Sequence, residues 1–179
     1  MKRQFNILKS ASLIIATVLL LSSCLKENED TYFDFASVGT LVEIPLSAYV
    51  AKQSKKVQTQ EYTASATPTD LPVVVNIASP QPLSKTLNVA LGVNADDALG
   101  KFNTANGTAY ILLPTDAYSV ASLTTSIPAG QRLGTVTFKI NTAVVNKTVT
   151  NYVLPVSIVD GGGEKISNYN TVYYNIIVK

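Results

Sequence analysis

The 179-residue sequence contains no histidine and no tryptophan, a single cysteine, and charged residues at only 15%. Without histidine the usual neutral-pH base is missing, and so is the commonest nitrogen ligand for metals. One cysteine permits no internal disulfide, so stability must come from apolar burial and strand pairing. No Gly-x-Ser-x-Gly elbow occurs, which leaves a serine nucleophile without its recognisable setting. Basic residues are scarce as well. Residues 1–23 hold Lys2, Arg3 and Lys9 out of 14 basic residues and none of the 12 acidic ones, so the rest of the chain carries 11 minus 12, or −1. A near-neutral domain offers no stripe for a phosphate backbone, and nucleic acid is not an expected partner.

The one cysteine is placed informatively. Cys24 follows a positive flank, a short apolar run from Ala11 to Leu21, and the small residues Ser22 and Ser23. The run is too short to span a bilayer, and the arrangement is that of a bacterial lipoprotein signal peptide, residues 1–23, with Cys24 as the lipidation site. A thiol bearing a diacylglyceryl group, with a further acyl chain on the freed amine, anchors a protein far more firmly than one chain does. The expected organisation is therefore a signal peptide over 1–23, a lipidated charged tether over 24–31 and one domain over 32–179. The tether Lys26-Glu27-Asn28-Glu29-Asp30 has no apolar periodicity. It resembles the acidic export signal of Bacteroidetes lipoproteins, which implies an outer-membrane protein displayed at the cell surface; the alternative placement faces the periplasm.

Beyond Tyr32, Phe33 and Phe35 the pattern is β. Leu87, Val89, Leu91 and Val93 alternate with smaller neighbours, as do Val136, Phe138 and Ile140, then Tyr152, Leu154, Val156 and Ile158, then Val172, Tyr174, Ile176 and Val178. Leu71–Ala78 is rich in β-branched residues, and further strands are expected over Thr40–Val50, Val57–Ala64 and Ala117–Leu123. Proline follows an aliphatic residue at positions 45, 72, 114, 128 and 155 and is expected at strand starts, edges or bulges. Asp160-Gly161-Gly162-Gly163 is suited to closing a hairpin. In Asp96–Gly107, the Leu99/Phe102 spacing, opening acids and closing Asn106-Gly107 predict a short helix. Seven to nine short strands and one helix predict an all-β, immunoglobulin-like or Calx-β-like two-sheet sandwich.

A resemblance accompanies this pattern. Asn106-Gly107-Thr108, Tyr110, Leu113-Pro114, Tyr118, Ile127-Pro128-Ala129-Gly130, Tyr152-Val153-Leu154-Pro155-Val156 and Ile166-Ser167 occur in that order. With the lipoprotein cysteine, acidic tether and aromatic patch, they resemble the Bacteroidetes lipoprotein family catalogued as domain-of-unknown-function seventeen-thirty-five. The resemblance implies an immunoglobulin-like or Calx-β-like sandwich on a surface lipoprotein, encoded among glycan-acquisition genes beside starch-utilisation-type transport proteins. Relatives often carry a further C-terminal module, sometimes carbohydrate-binding or glycosidase. This sequence ends at Lys179, after its last expected strand, so no enzymatic role is carried over.

The remaining chemistry supports binding over catalysis. Asp96, Asp97, Asp116, Asp160 and Glu164 are the carboxylates from which a glycosidase pair would have to come, yet they read better as helix-start and turn residues. No loop has the closely spaced acids of a calcium loop of EF-hand type, so no metal and no cofactor are expected. Tyrosine is the residue suited to sugar, because its ring stacks and its hydroxyl hydrogen-bonds. Tyr173 and Asn175 are expected on the face of the last strand opposite Val172, Tyr174 and Ile176, as an exposed pair. Tyr169 and Asn170 form a second pair near the glycine turn, and Tyr118 is placed at a loop mouth. Each of these tyrosines also has an ordinary role as sheet packing. The function expected is a non-enzymatic accessory or glycan-binding component of a polysaccharide-acquisition system, with polysaccharide or outer-membrane transport proteins as partners besides the lipid on Cys24. The alternative is an adhesin or structural subunit of a surface fibre, completed by strand exchange.

Overall fold

A computed structural model describes residues 39–179; the expected signal peptide over 1–23, Cys24, the expected tether over 24–31 and the aromatic residues Tyr32–Phe35 lie outside them. The strands are β1 (Leu41–Glu43), β2 (Gln58–Tyr62), β3 (Thr69–Ala78), β4 (Leu87–Val93), β5 (Ile111–Leu112), β6 (Tyr118–Val120), β7 (Thr124–Ile127), β8 (Leu133–Ile140), β9 (Tyr152–Asp160), β10 (Lys165–Ile166) and β11 (Thr171–Val178). Two helices accompany them, α1 (Pro45–Val50) and α2 (Ala98–Asn106). The first sheet runs β10-β1-β3-β8-β6 and the second β2-β11-β9-β4-β7, with β5 paired to β9. The two-sheet sandwich expected from the periodicity is what forms, with β5 and β10 as two-residue additions.

Alternation decides what the sandwich encloses. Leu71, Val73, Val75 and Ile77 of β3 and Val136, Phe138 and Ile140 of β8 point inward from the first sheet. Leu87, Val89 and Leu91 of β4, Leu154, Val156 and Ile158 of β9, and Val172, Tyr174, Ile176 and Val178 of β11 meet them from the second. β3 and β8 pair antiparallel over eight residues, from Thr69 opposite Ile140 to Asn76 opposite Leu133, and this register puts both apolar sets on one face.

Three local expectations are corrected. The strand expected over Thr40–Val50 stops at Glu43, because Pro45 has no amide for a ladder and its fixed φ suits the first turn of α1, where it lies. The glycine turn does not close a hairpin. After Asp160 the chain crosses to the first sheet, where β10 pairs parallel with β1, and returns as β11 beside β9. Gly162 is required at the crossing: it has φ +66°, and a Cβ there would lie 2.5 Å from the Asn88 carbonyl oxygen. Pro155 lies inside a central strand, contrary to the edge rule. Its carbonyl accepts from Asn94 N–H on the side where β9 changes partner, from β5 at Val153 to β4 at Val156, so its missing amide falls in that gap. Pro72 follows the rule, since β1 pairs β3 only from Asn76 to Ala78 and leaves one side of Pro72 open.

The expected helix forms as α2, with Gly107 in the left-handed conformation that ends it. Its start differs from expectation. Asp96 and Asp97 both adopt positive φ and neither caps the helix; Asn94 Oδ1 accepts from the Leu99 amide instead, at 2.9 Å. α2 packs on the outer face of the second sheet, burying Ala98, Leu99 and Phe102. There the sandwich gains a third layer.

Candidate functional site

Four of the five residues singled out as ligand contacts lie on one stretch of chain, the β10–β11 connection and the start of β11, and three of them line one groove. The groove, about 430 Å³, lies between α1 and the C-terminal half of α2; Tyr169, Asn170 and Tyr173 meet Asn106, Asn168 and Lys56 there. The loop that carries them is held on both sides. Ile44 N–H donates to the Tyr169 carbonyl at 2.8 Å, and Ile158 N–H donates to the Asn170 carbonyl at 2.9 Å. Tyr169 N–H donates to Ser167 Oγ, and Thr171 Oγ1 donates to Asn170 Oδ1. A loop backbone fixed in this way lowers the ordering cost of binding.

The two tyrosines are not equivalent. Tyr169 is 43% exposed and offers an open ring. Tyr173 is half-buried: its ring lies 4.2 Å from that of Phe102, tilted by 37°, and its hydroxyl donates to the Ala98 carbonyl. Burial raises its phenol pKa above the ordinary value, so the ring stays neutral throughout the physiological range. Tyr173 is thus the floor of the groove and Tyr169 its wall.

Asn175 departs from expectation. It faces away from the sandwich core as its position on β11 requires, but it is 6% exposed, and its amide donates to the carbonyls of Thr150 and Tyr152 at 2.9 and 3.0 Å. Both amide hydrogens are in use inside the protein, holding the start of β9. Tyr118 lies elsewhere. It lines a different hollow of about 330 Å³ with Leu113, Pro114 and Pro155, and its ring is 6.2 Å from Phe138.

The sequence-based reading missed the partners that complete the groove. Lys56 lies on the loop between α1 and β2 with φ 53°, and its ammonium donates to Asn106 Oδ1 at 3.0 Å, bridging two walls from positions 50 residues apart. Asn106 Nδ2 donates back to the Phe102 carbonyl, which fixes the amide's orientation. The only signal for Lys56 was the run Lys52, Lys55, Lys56. A second hollow of about 430 Å³ shares Asn170, Thr171 and Tyr173 and is lined at the start of α2 by Asp96 and Lys101. The five carboxylates considered for hydrolysis are dispersed in role: Asp160 accepts from Gly162 N–H in the glycine turn, Glu164 pairs with Lys85 at 2.7 Å, and Asp116 belongs to a one-turn 3-10 helix. Among the described residues no group of three or more acidic or thiol side chains is arranged to hold a metal, and no helix is long and apolar enough to cross a membrane.

No curated protein sequence matches the chain. Solved structures do, at low identity, and they share its fold. A multidomain protein including DUF1735 from Bacteroides ovatus superposes with a TM-score of 0.62 at 17% identity, over 78% of this chain and 45% of its own. A protein of the same organism described as a candidate carbohydrate-binding protein gives 0.55 at 16%, over 76% and 36%. EndoBT-3987 of Bacteroides thetaiotamicron, solved with a Man5GlcNAc product, gives 0.56 at 18%, over 76% and 30%. The chain thus spans less than half the length of each of these neighbours. Residues 27–165 match a family model described as a "-like, N-terminal domain". Matched over most of its length, the chain belongs to that N-terminal-domain family, the one its ordered motifs resemble and whose fold it shares with the DUF1735-containing protein.

Proposed function

We propose that this protein is a non-enzymatic, lipid-anchored accessory component of a glycan-acquisition apparatus at the outer membrane, and that it holds polysaccharide in the groove between α1 and α2. The observation that carries the reading is the convergence of an open tyrosine ring, Tyr169, with the amides of Asn106, Asn168 and Asn170 over the Tyr173 floor. A sugar presents an apolar ring face edged by hydroxyls that donate and accept. A tyrosine face beside several amides matches both halves of that surface. The candidate carbohydrate-binding protein and the endoglycosidase among the fold's neighbours support the ligand class. Support for the anchor is Cys24, set behind its apolar run.

The test is affinity electrophoresis of the full-length protein in detergent through gels containing single polysaccharides. The wild type is expected to be retarded by at least one of them, and Tyr169→Ala with Asn170→Ala to migrate freely while unfolding at the wild-type temperature. Retardation unaffected by that double change moves the ligand elsewhere. For the anchor, Cys24→Ser is expected to abolish incorporation of labelled palmitate in cells, and labelling that persists in that variant overturns it. Surface display is checked by protease treatment of intact cells: digestion supports it, and protection places the domain on the periplasmic side.

A further inference from the structure

We infer that the ligand of this groove is an acidic glycan, one whose sugars bear carboxylate or sulfate groups, and that the acidic group lies at the Lys56 end. The inference rests on the glycan reading above and adds the charge of the ligand.

The groove is electrostatically one-sided. Among the described residues Lys56 is the only charged side chain in its lining, and no carboxylate joins it. Elsewhere on the described surface three lysines are neutralised, Lys85 by Glu164, Lys139 by Asp70 and Lys179 by Glu61, and three stand singly with no ion pair among the described residues, Lys101, Lys147 and Lys165. Lys52, Lys55 and Lys56 form no ion pair among the described residues, although they crowd into five positions of the loop that also contributes Ala51 to the groove. Three like charges that close together repel one another, and an anion relieves the repulsion.

The Lys56 ammonium is also held ready. Its backbone keeps the left-handed conformation that favours glycine, a strain that a loop chosen for shape alone would avoid by using glycine. Asn106 accepts one of its three N–H bonds, which leaves two donors for a ligand. The neighbouring hollow is lined by both Asp96 and Lys101, so its charges offset each other and it suits a neutral sugar. A chain lying across both, over Tyr173, would therefore place its anionic unit at Lys56.

The experiment measures full-length protein in detergent against polygalacturonate, dextran sulfate, unsubstituted dextran and mannan, from about 50 to about 500 mM salt. The expected result is binding to an acidic polymer that weakens several-fold with salt. Lys56→Gln is expected to bind it about tenfold more weakly, the effect of losing one charge-assisted hydrogen bond. Lys147→Gln, the same change of charge on the exposed loop after β8, leaves binding unchanged. Lys56 is exposed, so its variant folds, and an unchanged unfolding temperature verifies that. Polygalacturonate and dextran sulfate separate carboxylate from sulfate recognition. If neutral and acidic polymers bind alike and Lys56→Gln matches the wild type, the charge inference is wrong and the glycan reading stands. If Lys147→Gln weakens binding as much as Lys56→Gln, the attraction is diffuse and the assignment to this groove is wrong. If none of the four polymers binds and a broad polysaccharide panel also fails, the glycan reading falls and takes this inference with it.

Discussion

The two sheets bury their inner faces in the same way and differ on their outer faces, which are open along β3 and covered along β9. Along β3, in the first sheet, buried and exposed residues alternate: Leu71, Val73 and Val75 are inside, while Asp70, Pro72 and Val74 meet solvent. Along β9, in the second, Val153 to Ile158 are buried without interruption, because α2 covers the face that β3 leaves open. A covered outer face turns a sheet from a wall into a middle layer. It is at the margin of that cover, where α2 ends and α1 begins, that the groove lies.

The largest expected effect breaks this contrast directly. Val153→Asp, on the covered face of β9, puts an unpaired charge under α2 and is expected to remove the cooperative unfolding transition, while Val74→Asp on the open face of β3 shifts stability by only about 0.5 kcal/mol. Comparable midpoints for the two variants in urea would refute the difference between the faces. Next, Phe102→Ala removes the ring that joins α2 to Tyr173, with an expected loss of about 3–5 kcal/mol and a change in the near-ultraviolet circular dichroism of the released tyrosine.

A smaller effect distinguishes the inner faces. Burial, and secondarily the charge that Tyr62 acquires, push the Tyr174 phenol far above its ordinary pKa of about 10, so the folded protein holds this proton more tightly than the unfolded chain. The resulting stability is present below pH ~10 and is lost as pH rises from there toward the folded value. Tyr174→Phe is expected to lessen the alkaline loss of stability in unfolding curves taken between about pH 9 and 12, and unchanged curves would remove Tyr174 as its source. Smallest of all is Lys139→Ala, which removes an ion pair with Asp70 on the open face. Both side chains are more than half exposed, so the expected change is under about 1 kcal/mol and vanishes in high salt.

Legibility in the sequence varies strand by strand. β4, β8 and β11 are visible as period-2 alternation, whereas β3, with Val73, Val74 and Val75 in a row, shows only its β-branched residues. β9 also carried a signal, a nearly continuous apolar run from Tyr152 to Val159, but reading alternate residues as one buried face left Val153, Pro155 and Ser157 unexplained until α2 was placed over them. In the site, Tyr169 and Asn170 were readable because a polar and aromatic pair beside a glycine turn is unsuited to a core. Asn175 was not. Its burial depends on two carbonyls at the start of β9, 23 and 25 residues away, and no local pattern encodes such a bond. Lys56 and Asn106 meet across 50 residues for the same reason. Short strands such as β5 and β10 exist only through their neighbours and have no periodicity to show.

The crossing at the glycine turn bears on how the molecule reaches its final form. Among the described residues β2 pairs only with β11 and β10 is the outermost strand beside β1, so segments made early wait for partners made more than a hundred residues later. Until residues 165–178 arrive, one border of each sheet stays open and the loop bearing Tyr169 has no place. For any polypeptide threaded through a membrane in extended form, such late closure keeps the chain pliant during passage and lets it set only afterwards.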